Sequence, residues 1–253
     1  MKQLLWAEKQ KLRRSKLIWI TIFATIMVAV IVFAQGQFVF HGSRYVDNTG
    51  WFMTAAQSLA TFFVLPAVIA LFGSYMICRE EQEDTMKSLQ LIPVNETKLI
   101  VAKMIITLAF SILIYLLLFL ITVSVEAILH NESLSIGLVL EFLKIYFLDG
   151  LGVFLAIAPM IVLVARMKKG YWLALVFTEI YSFAGLFTSM SGVLKVFYPI
   201  TAVFHVSGYY DASAIQIILS GITLLLCGGI AVMLLVSFQK KHNNDNRDGF
   251  RHK

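Results

Sequence analysis

Long apolar runs separated by short polar segments set the pattern of this chain. The runs fall at Leu17 to Ala34, Phe52 to Ile77, Leu99 to Leu129, Leu140 to Ala165, Tyr171 to Phe187 and Ala214 to Phe238. Each is near or above the ~18 residues that a helix needs to cross a ~30 Å hydrocarbon core at 1.5 Å rise per residue. Lipid offers the backbone no hydrogen-bond partner, so each run predicts a transmembrane α-helix. The expected fold is an all-α integral membrane protein of six transmembrane helices, with one transmembrane domain over residues 1–238 and a cytoplasmic polar tail over 239–253. Lys11, Arg13, Arg14 and Lys16 precede the first run as they would in a signal peptide. That run is too long and is followed by no small-x-small cleavage site, so it is expected to stay as a helix.

Three segments outside the spans carry patterns of their own. Met1 to Ser15 places Leu4, Leu5 and Leu12 against Glu8, Lys9, Lys11 and Arg13, which predicts an amphipathic helix lying in the headgroup layer. A solvated basic flank is the simpler alternative. Arg79 to Lys98 is dense in charge, then turns apolar at Leu89, Leu91 and Ile92 and stops at Pro93. Thr85 to Ile92 therefore reads as a short helix ended by Pro93, in a loop built for contact. Thr188 to Ser213 keeps many apolar residues around Gly192, Pro199 and Gly208. It is too apolar for a free loop and too broken for a seventh span. A re-entrant or interfacial hairpin and a helical cap on the outer surface both fit it.

Composition agrees with the spans: 59% of the 253 residues are AVILMFWYC and 14% are charged, with a mean hydropathy of +0.80. Only 4 Pro and 15 Gly, beside 20 Phe, exclude collagen-like and disordered chains. Of the 21 Lys and Arg residues, 18 lie in the N-terminus, the second and fourth connections and the tail. Basic residues resist translocation, so this asymmetry predicts that both termini are cytoplasmic. Arg44, Lys144 and Lys195 fall on the other side. The net charge of +6 thus reports topology, and no polar module exists that could bind nucleic acid. Cys78 and Cys227 have no CxxC partner and read as reduced packing residues.

Soluble catalytic chemistry is not legible. The chain has no GxxxxGK[ST] phosphate loop, no HExxH pair and no GxSxG elbow, so no catalytic or metal-ligating set is assigned. Asp149 and Glu179 remain, each roughly 12 to 14 Å inside its span. A carboxyl at that depth faces a partner or a water-filled path. Two readings stay open: a polar lining for a translocation route that accepts a cationic or amphipathic substrate, or acids that are paired or protonated for structural reasons. Two carboxyls in different helices do not make the local pair that an intramembrane protease requires. Glu126, Glu141 and Lys144 lie near outer span ends and are expected to snorkel or pair. Gly150, Gly152 and Ala156, and Ser220, Gly221, Gly228 and Gly229, mark close helix approach at a subunit or bundle interface. Pro66 and Pro159 are expected to bend spans two and four.

Taken together, the N-terminal stretch Ala7 to Lys16, six spans and the run Arg79-Glu80-Glu81-Gln82-Glu83-Asp84-Thr85 resemble the ABC type-2 exporter permeases. The likeness continues through Leu89, Leu91, Pro93, Val94 and Lys103, and the broken outer segment has its counterpart there. Asp84 stands where that family often has Gly, and Asn95-Glu96 where it commonly has Ser-Arg. The chain is most similar in character to short Gram-positive permeases that export, or confer immunity to, bacitracin, lantibiotics and other antimicrobial or toxic peptides.

The resemblance implies a half-transporter in the bacterial plasma membrane, multi-pass, with no cofactor on this chain. ATP and Mg would belong to a separate ATPase subunit. A second permease chain, identical or paralogous, would complete the path. The resemblance also implies that Glu80 to Ile92 is a coupling helix. Acids Glu80, Glu81, Glu83 and Asp84, with Thr85, would meet a basic rim on the ATPase, while Met86, Leu89 and Leu91 would supply the buried anchor. The competing classes are a secondary transporter, which would normally show more spans or internal repeats, and a non-transporting membrane adaptor or sensor, which would normally carry a soluble domain.

Overall fold

The computed structural model describes residues 4, 6, 8, 10, 16–40, 42–82, 96–167 and 170–251. Nine helices are described here: α1 (Leu17–Gly36), α2 (Trp51–Leu59), α3 (Leu65–Gln82), α4 (Glu96–Leu129), α5 (Ile136–Met167), α6 (Leu173–Ser189), α7 (Leu194–Phe197), α8 (Pro199–Ser207) and α9 (Ala214–Arg251). Among the described residues, five stretches are long and apolar enough to cross a membrane: Leu17–Gly36, Trp51–Arg79, Lys98–Leu129, Ile136–Val164 and Ala214–Ser237. The sixth expected span, α6, is apolar but only 17 residues long. Helices overrun the expected boundaries because no Gly or Pro stops them where the polar residues begin. Thus α4 starts at Glu96, and Lys103, read as a flank, lies two turns inside and is buried. Likewise α9 continues past Phe238 through the polar tail to Arg251.

The second span is not one uniform helix. Between α2 and α3, residues Ala60–Val64 form a π-helical turn. Pro66 follows it, and proline has no N–H to offer the carbonyl four residues back, which its ring would also strike. A widened turn just ahead of the proline accommodates both defects. Pro159 lies inside α5.

At the centre stands α5, packed by α3, α4, α8 and α9, while α1 and α9 form the most exposed flanks. Trp19 and Phe23 of α1 and Ile218, Leu225 and Met233 of α9 point outward, as lipid-facing side chains must. Gly150 lets α5 approach α4 at backbone distance: a Cβ there would sit 2.9 Å from Ile112 Cα. Gly152 abuts Val203 and Gly228 abuts Leu155, whereas Gly221 and Gly229 meet nothing within 4 Å. The small residues of α5 are therefore internal packing points, and those of α9 are divided between an inner and an open face.

The end of the bundle holding the connections 37–50, 130–135 and 190–213 is called the distal end below. The all-helical expectation has one exception there. Val39–Phe40 pairs antiparallel with Ser43–Arg44 in register Val39↔Arg44, turning through Gly42 at φ +91°. Beside this hairpin, Glu126 is fully buried and accepts a hydrogen bond from the Gly50 backbone N–H at 2.6 Å, with His130 Nδ1 at 3.0 Å. Glu126 is thus paired rather than snorkelling, while Glu141 and Lys144 are exposed. Neither Cys78 nor Cys227 forms a disulfide.

The broken segment between α6 and α9 folds inward. Tyr198 is extended (φ −83°, ψ 125°) and caps α8, whose Pro199 occupies the first turn. The Tyr198 hydroxyl donates to the Tyr181 carbonyl at 2.5 Å. Tyr181 lies eight residues before the end of α6, about 12 Å below it at 1.5 Å per residue. From that apex α8 climbs back, with Val203 against Gly152 and Ser207 facing Asp149. Nearly every side of α8 is buried, as a helix inserted into a bundle must be. The segment is a hairpin folded into the bundle, with α8 packed among its neighbours and not laid over their ends.

Candidate functional site

Polar residues spaced by three or four in otherwise apolar helices line up on single faces. Met53, Gln57 and Thr61 share a face of the second span. Ser111 and Tyr115 share one on α4, and Tyr146, Asp149 and Gly150 one on α5. The bundle brings these three faces together. Gln57 Nε2 donates to Asp149 Oδ2 at 2.6 Å, and the Tyr146 hydroxyl donates to the Met53 carbonyl at 2.7 Å. The Thr61 and Tyr115 hydroxyls lie 3.0 Å apart, and the Ser111 hydroxyl donates to the Gly150 carbonyl at 2.6 Å. Gln57, Thr61, Ser111, Tyr115, Tyr146 and Asp149 are all fully buried.

Two structural irregularities border this seam. The π-helical turn begins at Ala60, within one turn of Gln57, and its Phe62 packs on Phe204 of α8 with ring centroids 4.7 Å apart. Ser207 at the end of α8 faces Asp149, while its hydroxyl donates to the Phe204 carbonyl at 3.5 Å. The seam is thus the place where the second span, α4, α5 and the inward-folded hairpin meet. Buried polar groups need partners to be tolerated, and most of these have one. Asp149 Oδ1 and Gln57 Oε1 do not.

Glu179 occupies a different place. It is half-buried on α6, next to Thr178 and Ser182, whose buried hydroxyls have no hydrogen-bond partner among the described residues. Ile180 and Phe183 of the same helix face outward. No electrostatic contact links Glu179 to Asp149, so the structure does not join the two acids into one site. Glu80 and Glu81 fall in the last turn of α3, and Glu83, Asp84, Thr85, Met86, Leu89 and Leu91 lie outside the described residues. Among the described residues no group of His, Cys, Asp and Glu could hold a metal ion.

Sequence reasoning singled out Asp149 but missed Gln57, Thr61, Ser111, Tyr115 and Tyr146. A usable signal was present in the recurrence of polar residues at helical spacing inside apolar runs. The side chains of the polar seam, helices α1–α5 and most of α6 lie within residues 4–185, which match the family described as ABC-2 family transporter protein. Over 147 residues the chain is 29% identical to the bacitracin transport permease protein BCRB of Bacillus licheniformis, covering 57% of this chain and 70% of that protein. The inward-folded hairpin and α9 lie beyond the family match. Because that match takes in more than half of the sequence, on a bundle of apolar helices suited to a membrane, the chain belongs to the ABC-2 transporter family as a transmembrane subunit.

Proposed function

We propose that this chain is the permease subunit of an ATP-driven exporter that moves an amphipathic peptide, antimicrobial or toxin out of the cell or its membrane. The observation that carries the reading is the likeness to a bacitracin transport permease within a matched ABC-2 segment. A separate ATPase subunit supplies hydrolysis with its own ATP and Mg, consistent with the missing phosphate loop in this sequence. A second permease chain, identical or paralogous, encloses the path, and both termini face the cytoplasm. The buried seam at Asp149 becomes a polar lining when the helices around it separate, and Glu179 is the second candidate on that route.

Coupling to the ATPase runs through Glu80 to Ile92, where acids steer docking and Met86, Leu89 and Leu91 anchor it. The test begins with the tagged chain in mild detergent from its native membrane. A stoichiometric ATPase subunit with vanadate-sensitive hydrolysis is expected in the eluate. The double substitution Leu89→Asp and Leu91→Asp is expected to abolish that co-purification while leaving membrane insertion intact. Retained ATPase, or a chain that stays alone even after crosslinking, refutes the reading. Loss of bacitracin-type resistance on deletion of the chain tests the substrate class separately.

A further inference from the structure

Gln57 and Asp149 are bonded once and orphaned twice. Each orphan atom sits on the same carbon as a bonded one: Oδ1 beside Oδ2 on the carboxyl, and Oε1 beside Nε2 on the amide. Both orphans are acceptors, so neither can satisfy the other while the acid is ionised. The groups facing the carboxyl are Gln57 from α2, Ser207 from α8, Tyr115 from α4 and Tyr146 from α5 itself, and none is a cation. Only Gln57 and Ser207 offer the carboxyl a hydrogen bond, and nothing reaches Oδ1. Ser207 also lies 3.5 Å from the Phe204 carbonyl, Tyr146 donates to the Met53 carbonyl, and Tyr115 and Thr61 share a hydrogen bond in which either can donate. A carboxylate here would be a fully buried charge held only by a neutral amide and a neutral hydroxyl, with one oxygen left bare, an arrangement strongly disfavoured without a paired cation.

One proton on Oδ1 removes every defect together. The acid O–H then donates to Gln57 Oε1 while Gln57 Nε2 continues to donate to Oδ2, closing a two-bond ring between an acid and an amide. We propose that Asp149 is a resident proton site, and that the neutral acid and Gln57 form a clasp joining α2 to α5 beside the π-helical turn and the inward-folded hairpin. Loss of the proton to water breaks the Oδ1–H bond and sets a carboxylate oxygen against the Gln57 carbonyl, which opens the clasp. Asp149 therefore contributes an exchangeable proton, and not a standing negative charge, to the interior of the bundle. The inference holds whichever substrate the protein carries.

Asp149→Asn tests this directly, because the asparagine amide reproduces the ring: its oxygen accepts from Gln57 Nε2 and its nitrogen donates to Gln57 Oε1. The purified variant is expected to unfold at the wild-type midpoint or above it, whereas Asp149→Ala and Gln57→Leu are expected to unfold earlier. The infrared spectrum of the wild type minus that of Asp149→Asn is expected to show a carboxylic-acid carbonyl band above amide I. Absence of that band, or Asp149→Asn falling as far as Asp149→Ala, overturns the proposal and identifies an ionised carboxylate neutralised by a bound cation or ordered water. Should the variants fail to fold, wild-type protein labelled at aspartate Cγ decides by NMR. One aspartate signal held at the protonated position supports the proton site, and six signals all at the ionised position refute it.

Discussion

Replacing Gly150 by alanine adds one methyl group where two helix backbones already touch. The new Cβ would lie 2.9 Å from Ile112 Cα, 3.2 Å from the Ser111 carbonyl oxygen and 3.4 Å from Ile112 N. All three are backbone atoms, so no rotamer change can clear them, and ordinary carbon–carbon contact needs about 3.5 to 4.0 Å. The helices must part by roughly 0.6 to 1 Å, which carries the Ser111 hydroxyl, now 2.6 Å from the Gly150 carbonyl, to the edge of bonding range. Overpacking of this kind costs about 1 to 3 kcal/mol. A weakened interhelical hydrogen bond in a membrane adds about 0.6 kcal/mol on average and up to about 1.7. The glycine-to-alanine gain in helix propensity returns about 0.5 to 1 kcal/mol. A net loss of roughly 1 to 4 kcal/mol follows, about fivefold to a thousandfold in the folded-to-unfolded ratio at 1.4 kcal/mol per tenfold. Titration with a denaturing detergent, read by labelling of the buried Cys78, measures it. Gly221→Ala serves as the matched control, because nothing stands within 4 Å of a Cβ there and its stability should hold or rise slightly. Equal midpoints for the two variants would show that α4 and α5 are not in backbone contact.

At the distal end, Glu126→Ala leaves the buried Gly50 N–H without its acceptor, and a loss of about 1.5 to 3 kcal/mol is expected. Glu126→Gln, which keeps an acceptor, should lose less in the same thermal-unfolding assay. Phe62→Ala removes the ring that the π-helical turn lays against Phe204, costing about 3 to 5 kcal/mol. It should also make Lys195, on the hairpin's descending arm, cleavable by trypsin; uncut protein with a wild-type midpoint would show that the hairpin does not rest on Phe62.

Five of the six expected spans were legible because lipid imposes a length and a uniform polarity that few other environments do. Even the hairpin left a trace, since Pro199 and Gly208 interrupt an apolar segment; its inward direction depends on Gly152 and Gly185 making room, which no local pattern reveals. The seam was hidden for a different reason. Gln57 and Asp149 are 92 residues apart, and Tyr115, Tyr146 and Ser111 look like ordinary interior residues until their hydroxyls are seen to converge. The π-helical turn was half visible, because Pro66 announces a defect but not which way the helix yields. Two-residue strands such as Val39–Phe40 fall below the length at which alternation can be recognised.

The widened turn at Ala60–Val64 also fixes the phase of everything that follows it in the second span. A π turn takes in about one residue more than an α turn, so winding Ala60–Val64 as ordinary α-helix with no residue removed would swing residues 65–82 by about 100° around the helix axis. Gly73 would rotate away from Ile161 and Thr107, whose side chains now fill the space its missing Cβ leaves. Gln57, upstream of the turn, would keep its alignment with Asp149 of α5. The two halves of this span are thus phased independently, one by the acid–amide pair and the other by the glycine notch, and the widening of the turn is what allows both to be correct at once.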